Sequence, residues 1–391
     1  MSVTFTLKQQ TSLSAAVKIS TSRAQFPQYG RWLEDFAPGQ VFHHPRGFTI
    51  DAGVAKAFAG TFQQANPLFL NAEYARAHGF RTSPVCPQLV FNVVLSLGVQ
   101  NDSEKAMANL GYYRAVFPRP VYPGDTLRSM TRVKERKDRG PGKPGIVLLQ
   151  TLGLNQHSEV VLQYERKIMV MPGPGATGAD PILETDRARE FPWQEEPVYD
   201  LPIASSQYPS NLTGSGTYLE SFEPGDILVH PNGRTVTDEH MAWTCLVGNT
   251  HPLHTDRLYS TRLSGAMSGE PIVYGGLVFA WLEGLASRDL TENALWDLGF
   301  TEGYHTQPVQ SGDTIAALSR VLAKEPGPAG IPRSGILTVQ LVGVKNISAG
   351  KALETHGTDL FVRENDKKDL GKEKIEAKIF EIERRILLKK R

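Results

Sequence analysis

Cysteine is scarce in this chain: Cys86 and Cys245 are the only two in 391 residues. They fall at unrelated places, and neither has a CxxC or Cys/His spacing around it. A disulfide framework and a zinc site are therefore excluded, and no metal is expected. The same scarcity fits a reducing compartment, most simply the cytoplasm. Long apolar runs are missing as well. No stretch reaches the roughly 18 apolar residues that a transmembrane helix requires, so no membrane contact is expected. An excess of one charge is also lacking: 42 Lys and Arg stand against 41 Asp and Glu. Such a balance gives no electrostatic hold on nucleic acid. Acidic residues are absent from Met1 to Gln25, a Ser/Thr-rich stretch. Residues 1–25 are expected to be a flexible leader, with a transit segment as the alternative.

What is present is an internal repeat. Trp32-Leu-Glu-Asp-Phe-Ala-Pro-Gly39 returns as Tyr218-Leu-Glu-Ser-Phe-Glu-Pro-Gly225, 186 residues later. His44-Pro45-x-Gly47 returns as His230-Pro231-x-Gly233, and Asn66-Pro67-Leu68 as His251-Pro252-Leu253. Val85-Cys86-Pro87-Gln88-Leu89 matches Val273-Tyr274-Gly275-Gly276-Leu277, and Gly124-Asp125-Thr126 matches Gly312-Asp313-Thr314. The matches stay colinear, which chance similarity does not do, and a repeat of this length is one fold unit used twice. The units are set at 26–172 and 217–365, joined by a Pro/Gly-rich linker over 173–216.

Within each unit the pattern mixes periods. Residues 51–64 and 238–247 are predicted as helices, opened by Asp51 and by Thr237 or Asp238. Residues 89–98 and 277–285 are apolar nearly all round, as in a helix buried on every side. Alternating runs follow each Gly-Asp-Thr: 126–133, 146–154 and 160–171, then 314–322, 336–344 and 359–362. The fold class is α+β, each unit a buried helix wrapped by an antiparallel sheet. Over 366–391 the spacing of Ile375, Ile379, Ile382, Ile386 and Leu387 predicts a charged amphipathic helix.

Two stretches carry chemistry-bearing residues. Gly248-Asn249-Thr250-His251-Pro252-Leu253-His254 sets two imidazoles and a carboxamide where a helix gives way to a loop. An imidazole there can exchange a proton with water. Tyr274-Gly275-Gly276 opens the second buried helix. Its unpaired N–H groups suit a carbonyl oxygen that gains negative charge, though a glycine pair also serves tight helix packing.

A helix, a polar loop ending in Pro-Leu-His, a Gly entry to an apolar helix and Gly-Asp-Thr before a strand together resemble the MaoC-like, or R-specific enoyl-CoA hydratase, family. The resemblance covers roughly residues 30–365 and implies a double hotdog fold. It implies a hydro-lyase that adds water to an enoyl-CoA thioester without a cofactor. In that family the loop reads Asp-x-Asn-Pro-x-His. His254 falls on its catalytic His, His251 on its Asn and Asn249 on its Asp. Either His254 is the base and Asn249 holds the water, or His251 and His254 divide acid and base work. Gly275 and Gly276 fall where the family binds the thioester oxygen.

In the first unit Gln64, Asn66 and Phe69 stand in the same slots, so that half is expected to shape a pocket without moving protons. The tandem arrangement, with Val121-Tyr-Pro-Gly-Asp-Thr-Leu127, Val160-Val-Leu-Gln-Tyr-Glu-Arg166 and Ile272-Val-Tyr-Gly-Gly276, is similar to that of the mesaconyl-CoA hydratases. That similarity implies a substrate carboxylate, for which Arg257, Arg81 and His305 are candidate partners. An R-specific hydratase for ordinary chains, a thioesterase and a non-catalytic acyl-CoA-binding protein are the other functions considered. The expected partner is the CoA thioester, with a homo-oligomer possible.

Overall fold

The computed structural model describes residues 20–174, 191–203, 212–214 and 216–391. Most of the leader and much of the linker lie outside them. In the first unit β1 (Val41–Thr49) leads into α1 (Ala52–Thr61), α2 (Ala72–Ala77) and α3 (Pro87–Gly98). Then come β2 (Ala106–Val116), β3 (Thr126–Lys137), β4 (Gly145–Leu154) and β5 (Val160–Val170). The second unit opens with β6 (Ile227–Thr235), α4 (Asp238–Met241), α5 (Trp243–Leu246) and α6 (Arg257–Ser260). It continues with α7 (Gly275–Leu290), β7 (Ala294–His305), β8 (Thr314–Pro326) and β9 (Ser334–Lys345), and ends with α8 (Ala349–His356) and β10 (Lys378–Lys389). The Asp51 carboxylate caps α1 by accepting the Gly53 N–H at 2.7 Å, which supplies one of the partners a helix start lacks.

Among the described residues all ten strands form one antiparallel sheet, ordered β1-β3-β4-β5-β2-β7-β10-β9-β8-β6. Each unit contributes half, and the halves join where β2 pairs with β7, Tyr112 opposite Gly303 and Ala115 opposite Phe300. The two apolar helices, α3 and α7, pack against each other inside this sheet. Every residue of α3 is buried. Phe91 and Phe279 meet edge-on at 6.0 Å between ring centres, and each such ring contributes about 1.5–3 kcal/mol by leaving water. At the crossing, Asn92 Nδ2 donates to the Gly276 carbonyl at 3.0 Å. The double hotdog architecture expected from the repeat is therefore present.

Three expectations fail. The segment 366–391 is not a charged helix: β10 runs through it as a central strand between β7 and β9. A strand covered on both faces loses its alternation. Its charges, Lys378, Glu381 and Arg384, are buried in ion pairs rather than solvated, so the apolar spacing fits a helix only by coincidence. The second unit thus extends to β10. Residues 359–362 are likewise no strand, because Gly357–Phe361 is a 3-10 turn after α8. The first unit passes from β4 to β5 through a tight turn at Asn155–Glu159, whereas the second inserts α8 and its loop between the equivalent strands β9 and β10. The predicted helix over 238–247 is broken at Ala242 into α4 and α5.

Candidate active site

A cavity of about 390 Å³ opens beside the start of α7. Its walls come from both units. The second supplies Asn249, His251, His254, Tyr274, Gly275 and His305, and the first supplies Ala108, Asn109, Tyr112 and Arg166. No carboxylate is among the described residues that line it.

Backbone contacts fix the loop before α6. Asn249 Oδ1 accepts the His251 N–H at 2.8 Å, leaving its buried Nδ2 donor without a partner. His251 Nδ1 accepts the Leu253 N–H at 3.1 Å, so its proton sits on Nε2 and is given to the Ala106 carbonyl at 3.2 Å. Both nitrogens of His251 are thereby engaged. His254 differs: Nδ1 donates to the Ile272 carbonyl at 3.0 Å, which leaves Nε2 as a lone-pair acceptor. Burial pushes the His254 pKa down to about 3, helped by nearby His251 and His305. The ring is neutral at pH 7, the form a general base needs.

Gly275 and Gly276 separate in role. Gly275 lines the cavity, and its N–H belongs to the unpaired first turn of α7. His305 lies directly on it, so that a methyl group at Gly275 would overlap the imidazole. Gly276 faces away, where a side chain would overlap Asn92; it serves the helix crossing. His305 is held between Tyr112 and Phe380, at 5.7 and 4.7 Å between ring centres. Burial lowers its pKa to about 4, so it meets the cavity as a neutral group. Arg257 and Arg81 do not reach the cavity. Arg257 is exposed and pairs with Glu270 at 2.6 Å, and Arg81 is exposed over the Tyr122 ring near Asp125.

A family model described as mesaconyl-CoA hydratase matches residues 12–346. The chain belongs to the mesaconyl-CoA hydratase family. It is 33% identical over 323 residues to the β-methylmalyl-CoA dehydratase of Chloroflexus aurantiacus, covering 81% of this chain and 89% of that one. It is 31% identical over 338 residues to the mesaconyl-CoA hydratase of Cereibacter sphaeroides, covering 86% and 93%. Among solved structures, a MaoC domain dehydratase of Chloroflexus aurantiacus superposes with a TM-score of 0.75 at 28% identity, over 93% of this chain and 98% of that one. A Mycobacterium tuberculosis protein with a double hotdog fold superposes at a TM-score of 0.65 and 20% identity, over 92% and 98%, and supports the fold alone. The protein is accordingly a MaoC-like hydro-lyase of the enoyl-CoA hydratase and dehydratase class.

In this hydratase family member the repeat provides its own comparison. Asn66 makes the two bonds that His251 makes: Oδ1 accepts the Leu68 N–H at 2.9 Å, and Nδ2 donates to the Ala294 carbonyl at 3.0 Å. His251 is thus an imidazole doing the work of an asparagine. His251→Asn is expected to keep kcat within about threefold, because the replacement can make both bonds. A loss of a hundredfold in steady-state turnover would instead put His251 in the proton path.

The first unit's cleft is filled. Phe69 stands at the His254 position and packs on Trp296, at 6.3 Å between ring centres. Phe80 stacks on the same indole at 5.8 Å. Trp296 occupies the place that Ala108 leaves open in the second unit. Pro87 begins α3 where Gly275 begins α7, and proline has no N–H to offer an oxygen. Asn109 and Tyr112 escaped the sequence analysis, which quoted Arg166 and Ile272 in motifs of the tandem arrangement but gave neither a role at the site. Arg166 left one trace: it shares the apolar register of β5 with Leu162, Tyr164, Ile168 and Val170.

Proposed function

We propose that this protein reversibly hydrates a short branched enoyl-CoA, mesaconyl-CoA, to β-methylmalyl-CoA, with one working site per chain in the second unit. The observation that carries this reading is the His254 Nε2 lone pair, set by the Ile272 bond, in the same cavity as the Gly275 N–H. The names of the relatives from Chloroflexus and Cereibacter support the choice of acyl group.

In this scheme Asn249 Nδ2 donates to a water, and the water donates to His254 Nε2. The water oxygen bonds to the β-carbon as His254 takes its proton. The alkene electron pair moves to the α-carbon and thioester oxygen, where the Gly275 N–H meets the growing negative charge. The imidazolium then returns the proton to the α-carbon from the same face, restoring the neutral base. A single histidine suffices for this syn addition, which accommodates an amide in the slot where the family carries Asp.

Mesaconyl-CoA and crotonyl-CoA offered side by side test the reading. Loss of enoyl absorbance is expected with mesaconyl-CoA, at least about tenfold faster by kcat/KM than with crotonyl-CoA. Release of free thiol without hydration would replace this reading with a thioesterase.

A further inference from the structure

We infer that Arg166, a residue of the first unit, holds the acyl-chain carboxylate in the second unit's cavity. This rests on the hydratase reading and deepens it. Arg166 borders the cavity with its side chain only 4% exposed. Its bonds to Asp102 Oδ1 at 3.0 Å and Ser103 Oγ at 2.6 Å both leave from Nη2, and Nε has no partner. Its cross-strand neighbour is Tyr112, whose ring touches His305, the group lying on Gly275. Cross-strand side chains lie about 5 Å apart. Gly275 and Arg166 border the same cavity, so a thioester held at Gly275 carries its β-carbon carboxylate into the space that Arg166 lines.

The other half of the molecule shows what such an arginine pairs with when no ligand has to enter. Arg384 occupies the equivalent register, opposite Val339 and Phe300 as Arg166 is opposite Leu149 and Tyr112. Its Nη2 donates to two carboxylates, Glu283 and Asp297. The position of Asp297 is held by Asn109 in the second cleft. Both residues use Oδ1 in the same way, accepting the N–H of a glycine two residues on: Gly299 at 2.9 Å and Gly111 at 3.3 Å. The remaining atom is a carboxylate oxygen in one unit and an N–H donor in the other.

The filled cleft thus gives its arginine two anions, and the open cleft gives one, together with the Asn109 amide and the buried Tyr112 hydroxyl beside it. The acceptor missing from the open cleft is the ligand's own carboxylate. A neutral acyl chain would leave the Arg166 Nε–H without a partner, which a buried site resists.

Calorimetric binding of succinyl-CoA and butyryl-CoA, which cannot be hydrated, tests this apart from turnover. The wild type is expected to favour succinyl-CoA at least about tenfold. Arg166→Met with Asp102→Asn removes both buried charges together, so no lone carboxylate is stranded; this variant is expected to bind the two thioesters equally. Asn109→Asp, a near-isosteric change, is expected to weaken succinyl-CoA about tenfold relative to butyryl-CoA. Equal binding by the wild type, or a preference that survives Asn109→Asp or the double substitution, overturns the assignment. A wild type that favours succinyl-CoA yet hydrates no enoyl-CoA would refute the hydratase reading while leaving the anchor standing.

Discussion

His254→Ala is expected to lower kcat and kcat/KM together by about two to four orders of magnitude, with little change in KM. Of the cavity's other described residues, only His305 keeps an unpartnered ring nitrogen, and it lies over Gly275. Both nitrogens of His251 are bonded to backbone, Asn249 cannot accept a proton, and the cavity lining holds no carboxylate among the described residues. The Ile272 carbonyl is an acceptor that fixes the tautomer, so the imidazole needs no rearrangement before it acts. Steady-state hydration of mesaconyl-CoA, followed at the enoyl absorbance, reads the effect. A rate within threefold of the wild type would remove His254 from the chemistry.

Lowering the pH from 7 to about 4.5 is expected to unfold the protein. Burial depresses His44, His78, His251 and His305 to about 4 and His254 to about 3. In the unfolded chain each titrates near 6.5. Above that value both states are neutral and the five histidines cost nothing. As pH falls from 6.5 toward 4, the unfolded state takes up protons that the folded state refuses, and stability drops. At pH 4.5 each contributes a loss of about 2–3 kcal/mol, so that together they match the whole stability of an ordinary domain. Asp297 and Glu104 oppose this, since burial raises their pKa and favours the folded state as acid is added, but they are two carboxyls against five imidazoles. Urea unfolding at stepped pH measures the slope, and a midpoint unchanged between pH 6.5 and 4.5 would contradict it. His251→Asn should flatten part of the slope by removing one of the five protons.

The architecture was legible where the two halves stayed in step. The colinear matches from Trp32 to Gly153 and from Tyr218 to Gly343 carry the buried helices and the strands after each Gly-Asp-Thr, and these are present as β3, β4, β8 and β9; β1, β2, β6 and β7 were not foreseen. Legibility ended at the insertion of α8, which put β10 out of phase with β5 and let a buried central strand pass for an amphipathic helix. In the site, Asn249, His254 and Gly275 could be found because their loop and helix start are local features. Arg166 could not, because it enters the cavity from the other unit, through the β2–β7 seam and the register of β5. Arg257 misled for the complementary reason: it lies three residues after His254 in sequence but on the outer face of the fold, and Arg81 is likewise an exposed surface group.

On the proposed function, the acyl end of the thioester lies between the start of α7 and His254. A crystal structure of the protein with succinyl-CoA bound tests it most directly. The prediction is one thioester per chain, its carbonyl oxygen within hydrogen-bond distance of the Gly275 nitrogen and its β-carbon within one water's reach of His254 Nε2. An acyl group seated in the cleft of Phe69 and Trp296, or a thioester oxygen turned away from Gly275, would contradict it.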